Sequence, residues 1–206
     1  MKTYVATSNL GKLRELKVLF AKSPLQIVTP RKAVAIDVVE DAPSYAGNAL
    51  LKAQALAAVL RERRVSAAVL ADDSGLEVEA LGGRPGIHSA RYGGSDRDWP
   101  QRRAALLGEL RGVPPYRREA RFVCALALIP LNGEPIVATG DVRGYILEAE
   151  RGTGGFGYDA LFLYPPLGRS FATLSEKEKN AVSHRHNAVE ALLTILRGQS
   201  AQPGLL

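Results

Sequence analysis

The order in which two periodicities alternate along residues 1–71 most constrains this fold. Residues 2–7 read as a short strand, and Leu13, Leu16 and Phe20 then recur at helical spacing behind Asn9, an N-cap residue type. Residues 25–29 return to strand character. Residues 45–60 place Ala46, Ala49, Leu50, Ala53, Leu56, Ala57 and Leu60 on one helical face, and residues 67–71 form a third strand. Strands that alternate with helices belong to the α/β class.

The second half predicts a helix over 99–110, then strands over 121–129, 135–142 and 144–148, an antiparallel group joined by 132-NGE-134 and a turn at Arg143-Gly144. A strand over 161–164 is stopped by Pro165-Pro166. Ser175 and Glu178 form a capping-box pattern that opens a final helical region, which Leu192, Leu193 and Leu196 anchor to the core. The expectation is one domain over 1–198, with 199–206 a flexible tail carrying Pro203 and Gly204.

Composition excludes several classes. With 206 residues the chain can bury a sizeable core, and its apolar runs are too short to span a bilayer. Met1-Lys2-Thr3-Tyr4 leads directly into a strand, with no secretory signal pattern, so a cytoplasmic protein without a membrane partner is expected. The single Cys124 lies in an apolar strand and reads as a small hydrophobe. A net charge of +6, with arginines in 61-RERR-64 and between Arg97 and Arg121, permits a polyanion partner. No aromatic residues interleave with those arginines as a base-stacking surface requires, which favours a solvated basic face over a specific nucleic-acid partner.

Four polar clusters interrupt the framework where elements end, the usual place for ligand sites in α/β sheets. In 6-ATSNLGKL-13, a helix start, the hydroxyls of Thr7 and Ser8, and Lys12 can hold phosphate. It is not a P-loop, because Ala6 and Leu13 stand where that motif needs Gly and Ser or Thr. The alternative is a capped helix with a solvated lysine. In 71-ADDSGL-76 the strand is expected to end on two carboxylates, which suit a hard cation such as Mg²⁺ and are costly side by side without one. An Asp-rich capping turn is the competing reading. Glu40-Asp41 brings a further carboxylate. The stretch 153-TGGFGYDALF-162, with Gly152 before it, imitates a dinucleotide loop through Gly152, Gly154 and Gly157, yet a strand rather than a helix follows it; its glycines are expected to let backbone approach a ligand beside the flat face of Phe156 and the acceptors of Asp159, and a tight structural turn accounts for two of them. In 175-SEKEKNAVSHRHNA-188, Lys179 and His184 lie ~140° apart on an unbroken helix, so a break near Ser183 is expected if Lys179, His184 and Arg185 act together; a solvated basic face is the competing reading. His184 and His186, at i and i+2, make a poor metal pair.

Taken in this order, 7-TSNLGK-12, 71-ADDSGL-76, 82-GGRPGIHSARY-92, 154-GGFGYD-159 and 179-KNAVSHR-185 resemble the inosine triphosphate pyrophosphatase family, over nearly the whole chain. The resemblance implies a bent mixed β-sheet flanked by helices, two lobes around a central cleft, Mg²⁺ dependence and a homodimer. It also implies hydrolysis of ITP, dITP and XTP to the nucleoside monophosphate and pyrophosphate. By it, Thr7, Ser8, Asn9, Leu10, Gly11 and Lys12 cradle the triphosphate. Asp73 is general base and metal ligand, and Glu40 is the second metal ligand. Ser74, Phe156, Gly157, Tyr158, Asp159, Lys179, His184 and Arg185 contact substrate. Two positions depart from the pattern: Gly47 stands where many relatives have Glu before Asn-Ala, and Ala160 where many have Pro. A nucleotide- or nucleic-acid-binding protein without catalysis is the rival from another class, and a hydrolase of modified pyrimidine triphosphates is a second.

Overall fold

A computed structural model describes residues 1–29, 38–94 and 96–200. The chain enters through strand β1 (Lys2–Ala6), helix α1 (Leu10–Leu19) and strand β2 (Gln26–Val28), then helix α2 (Tyr45–Glu62) and strand β3 (Ala68–Val78). Helix α3 (Trp99–Glu109) precedes the long strands β4 (Glu119–Ile129) and β5 (Ile136–Ile146), followed by the short β6 (Phe162–Tyr164) and β7 (Arg169–Ser170). Helices α4 (Glu176–Val182) and α5 (His184–Ser200) close the described chain.

The strands form one seven-stranded sheet in the order β2-β1-β3-β4-β5-β6-β7. β1 lies parallel to both β2 and β3, whereas β6 is antiparallel to β5 and β7, so the sheet is mixed and the α/β expectation holds. Two compact units share the chain: residues 1–73, 124–140 and 185–206 make the first, residues 74–123 and 141–184 the second.

Within the first unit, the pleat of β3 sorts its side chains. Ala68 and Leu70 join Leu13, Leu16 and Phe20 of α1 and Val189 and Leu192 of α5, while Val69 and Ala71 join Ala49, Ala53 and Leu56 of α2. Successive residues of a strand face opposite ways, so the near-continuous apolar run of β3 is what a strand covered on both faces requires. The second unit has a different core, in which Phe122, Phe162 and Phe171 pack with ring centroids 4.6–6.0 Å apart beside Leu76, Leu106 and Leu161.

Three expectations are corrected. β3 does not stop at Asp72-Asp73 but runs on to Val78, because cations from three distant segments offset the two carboxylates and let them stay in the sheet. Residues 136–146 are one strand without a turn at Arg143-Gly144. A Cβ on Gly144 would lie 2.2 Å from the Leu163 carbonyl oxygen, so that glycine admits the close approach of β6. α5 continues past Gly198 to Ser200, since one helical glycine costs only about 1 kcal/mol against alanine and Leu192 and Leu193 already hold the helix down. The rest of the expected tail, 201–206, lies outside the described residues.

Candidate active site

In the first unit, β1 hands the chain to α1 through Thr7, Ser8 and Asn9. The Asn9 side chain accepts from the backbone N–H groups of Gly11 (2.9 Å) and Lys12 (3.1 Å), and Thr7 Oγ1 accepts from Asn9 N–H at 3.2 Å. The cap thus holds two of the N–H groups expected to meet phosphate, while the exposed Ser8 and the ammonium of Lys12 remain the groups of this turn with the charge and reach for an anion. Leu10 is exposed and contributes its place in the first helical turn.

The paired aspartates differ sharply in surroundings. Asp72 is buried, with Lys12 Nζ 3.2 Å from Oδ1 and the Nε and Nη2 of Arg185 each donating to Oδ2 at 3.2 Å. Arg185 also donates from Nη1 to Glu15, nearly two turns along α1 from the cap. Burial opposes charge on Asp72, but Lys12, Arg185 and Lys52 overcome it and hold the carboxyl below the usual carboxylate range. Asp73 accepts from Asn48 Nδ2 at 3.2 Å and from Lys52 Nζ at 3.4 Å. The same ammonium reaches Glu40 Oε2 at 2.9 Å. Burial pushes the Asp73 carboxyl up against the pull of Lys52 and Lys12, and the Glu40 charge adds to the rise. One aspartate is fixed as an anion; its neighbour is a better proton acceptor.

In the second unit, Gly155 and Gly157 take positive φ of 68° and 64°, which turns the chain so that Asp159 Oδ2 accepts from the N–H of Phe156 at 2.8 Å. Gly155 must be glycine, as a Cβ there would lie 2.1 Å from that oxygen. Lys179 Nζ bonds the same oxygen and sits 4.6 Å from the centroid of the Phe156 ring. Buried Tyr158 donates to the Ser89 carbonyl at 3.1 Å, and His184 stacks on Phe122 with centroids 4.8 Å apart. Burial raises the Tyr158 hydroxyl pKa above its ordinary value, so it serves as a neutral donor.

Residues 3–195 match the Ham1 family. The chain belongs to the Ham1 family. It is 48% identical over 190 residues to a dITP/XTP pyrophosphatase of Geobacillus kaustophilus, covering 91% of this chain and 90% of that one. A dITP/XTP pyrophosphatase of Listeria monocytogenes is 42% identical over 192 residues, covering 93% and 92%. Among solved structures, the Ham1 protein of Staphylococcus aureus superposes with a TM-score of 0.81 at 36% identity, over 97% of this chain and all of that one.

Measured against this Ham1 chain, the sequence-derived residues fall into two groups, each inside one unit. Thr7 to Lys12, Glu40, Asp73 and Arg185 belong to the first; Ser74, Phe156 to Asp159, Lys179 and His184 belong to the second. Ser74 is half-buried in β3. The expected break stands at Ser183, whose extended backbone (φ −77°, ψ 158°) ends α4 before α5 starts at His184. Arg185, expected at substrate, has its guanidinium on Glu15 and Asp72 and is only 1% exposed. Asn48, Lys52 and Glu15 were missed. Asn48 and Lys52 interrupt the Ala/Leu run of α2 at i and i+4, a spacing that puts two polar groups on one face and was the available signal.

Among the described residues no three His, Cys, Asp or Glu side chains gather as a ready metal cage. What the first unit offers is a carboxylate pair, Glu40 and Asp73, drawn to one ammonium. That donor set fits Mg²⁺, which binds through one or two carboxylates and takes its remaining ligands from water and substrate phosphate. Gly47 carries no carboxylate toward it. A Cβ there would fall 2.7 Å from that of Ala42, so the small residue lets the chain beyond Glu40 settle on the first turn of α2.

Proposed function

We propose that this Ham1-family chain hydrolyses non-standard purine nucleoside triphosphates (ITP, dITP and XTP) to the nucleoside monophosphate and pyrophosphate. The observation that carries the reading is the divergence of the twin aspartates, one locked as an anion by Lys12 and Arg185 and the other raised toward proton acceptance beside Lys52. The names of the relatives support the substrate class.

Asp73 accepts a proton from a water whose oxygen attacks the α-phosphorus; the bond from that phosphorus to its bridging oxygen breaks, and pyrophosphate leaves. Lys12 and the Thr7 and Ser8 hydroxyls bind the phosphates, and Asn48 orients the Asp73 carboxylate. Asp73 and Glu40 would hold Mg²⁺, which when bound neutralises charge on phosphate oxygens. Phe156 offers its face to the base. Lys179 and the backbone N–H groups of the glycine loop supply donors for a 6-keto oxygen; adenine presents an amino group there and leaves such donors unpaired. Arg185 acts through Asp72. A homodimer in the cytoplasm belongs to the same proposal, and sedimentation of the purified chain checks the dimer.

Product analysis over ITP, dITP, XTP, GTP and ATP with Mg²⁺ tests the reading. Monophosphate and pyrophosphate are expected, with kcat/KM for the 6-keto, non-guanine purines ~10²-fold or more above ATP. Equal cleavage of ATP, or salt-sensitive DNA binding without turnover, rejects it.

A further inference from the structure

The loop that carries Phe156 is braced by a helix that the sequence motifs leave out. α3 starts firmly: Asp98 and Gln101 form a reciprocal capping box, and Pro100 occupies its first turn. From its second turn, Arg103 reaches into the glycine loop. Its Nη1 donates to the Gly157 carbonyl at 3.0 Å while Nε donates to Glu150 at 2.8 Å. Its side chain is 16% exposed against 42% for Glu150, so the end on the loop is the more protected one. One turn earlier, the Trp99 ring stands edge-on to Tyr158 with centroids 5.5 Å apart, and it lies 3.7 Å from where a Gly157 Cβ would be.

The physical consequence is specific. Gly157, at φ 64°, has no Cβ to restrict its peptide planes, and it directly follows Phe156. Asp159 and Lys179 hold the loop at Phe156; Arg103 fixes the carbonyl of the next residue with a charge-assisted bond. A lysine does not reproduce this fork, because its donors all sit on one nitrogen, whereas Arg103 reaches the carboxylate and the carbonyl from separate nitrogens of a planar group.

We propose that Arg103 is a positioning residue for nucleobase recognition: its bond to the Gly157 carbonyl sets that peptide and through it the plane of Phe156. This rests on the assignment of Phe156 to the base. Arg103→Ala is expected to raise KM for dITP ~10-fold with little change in kcat, and to narrow the dITP-over-ATP ratio of kcat/KM by a similar factor. Arg103→Lys should rescue less than half of that loss, and Glu150→Gln, which leaves the carbonyl bond in place, should keep the ratio near wild type. Trp99, the only tryptophan of the chain, gives a second readout: its emission should respond to inosine monophosphate in the wild type and respond at higher concentration in Arg103→Ala. Phe156→Leu separates the two readings. If Phe156→Leu collapses the ratio while Arg103→Ala leaves it intact, or if Glu150→Gln mimics Arg103→Ala, the brace is overturned and the base platform stands. An unchanged ratio in Phe156→Leu overturns both.

Discussion

The first unit gathers Lys12, Lys52 and Arg185 against Glu15, Glu40, Asp72 and Asp73, whereas the second sets the Lys179 ammonium and the Asp159 carboxylate among the rings of Phe156 and Phe171. Both bury charge, but they offset it differently. In the first, each ion is neutralised by others, and the small differences among those neighbours set which carboxylate can take a proton. In the second, one carboxylate and two ring faces share a single buried cation, so the pair carries little net charge. Chemistry on a polyanion suits the former arrangement and recognition of an uncharged base the latter.

The comparison breaks most visibly at the twin aspartates. Asp73→Asn is expected to cut turnover by ~10²-fold or more with the fold retained, read by steady-state kinetics alongside circular dichroism. Near-normal turnover would return Asp73 to a structural role. Removing the partner on the other side should act on stability: Arg185→Ala leaves Asp72 and Glu15 buried without their guanidinium and should cost about 3–5 kcal/mol in urea unfolding. A stable variant with altered base preference would show instead that Arg185 reaches the base. Lys12→Ala is expected to raise KM ~10-fold on every nucleotide alike, since a charged phosphate is present throughout the reaction; a change confined to one base would contradict the assignment.

A further effect lies at alkaline pH and touches both units. Burial pushes the Cys124 thiol of the first unit from 9.0 up to about 12, and burial with the Glu109 hydrogen bond pushes the Tyr92 hydroxyl of the second from 10.0 to about 12. Both folded values exceed the unfolded ones, so the stabilisation is complete below the unfolded pKa and is lost as pH climbs toward 12. Unfolding free energy should therefore fall by roughly 2–3 kcal/mol between pH 8 and 10.5, most of it from Cys124, and Cys124→Ala should flatten that slope. An identical slope in the variant would assign the loss elsewhere.

Local chemistry was legible in the sequence and long-range pairing was not. Asn9 as a cap, the Ser175–Glu178 box and the break at Ser183 each follow from neighbours within five residues, and the structure has all three. The passage of β3 through two aspartates depends on Lys12, Lys52 and Arg185, which no local window joins to them. Gly144 looked like a turn because glycine in isolation signals one; only the pairing of β5 with β6 reveals a contact that excludes a Cβ. Arg185 drew attention as a donor, yet its partner Glu15 sits 170 positions away in an ordinary amphipathic helix.

The alternation of side chains along β3 bears on how such a protein can change over time. Asp72 continues the Ala68–Leu70 side, next to Cys124, and Asp73 continues the Val69–Ala71 side, next to Asn48 of α2. Their opposite protonation behaviour therefore depends on odd and even position as much as on residue type, and the two letters are identical. Point substitutions in this strand alter one environment at a time. Loss or gain of a single codon ahead of Asp72 would exchange the two environments at once, presenting the wrong carboxylate to each set of cations. Lineages carrying this strand should accordingly drift in composition while keeping its length.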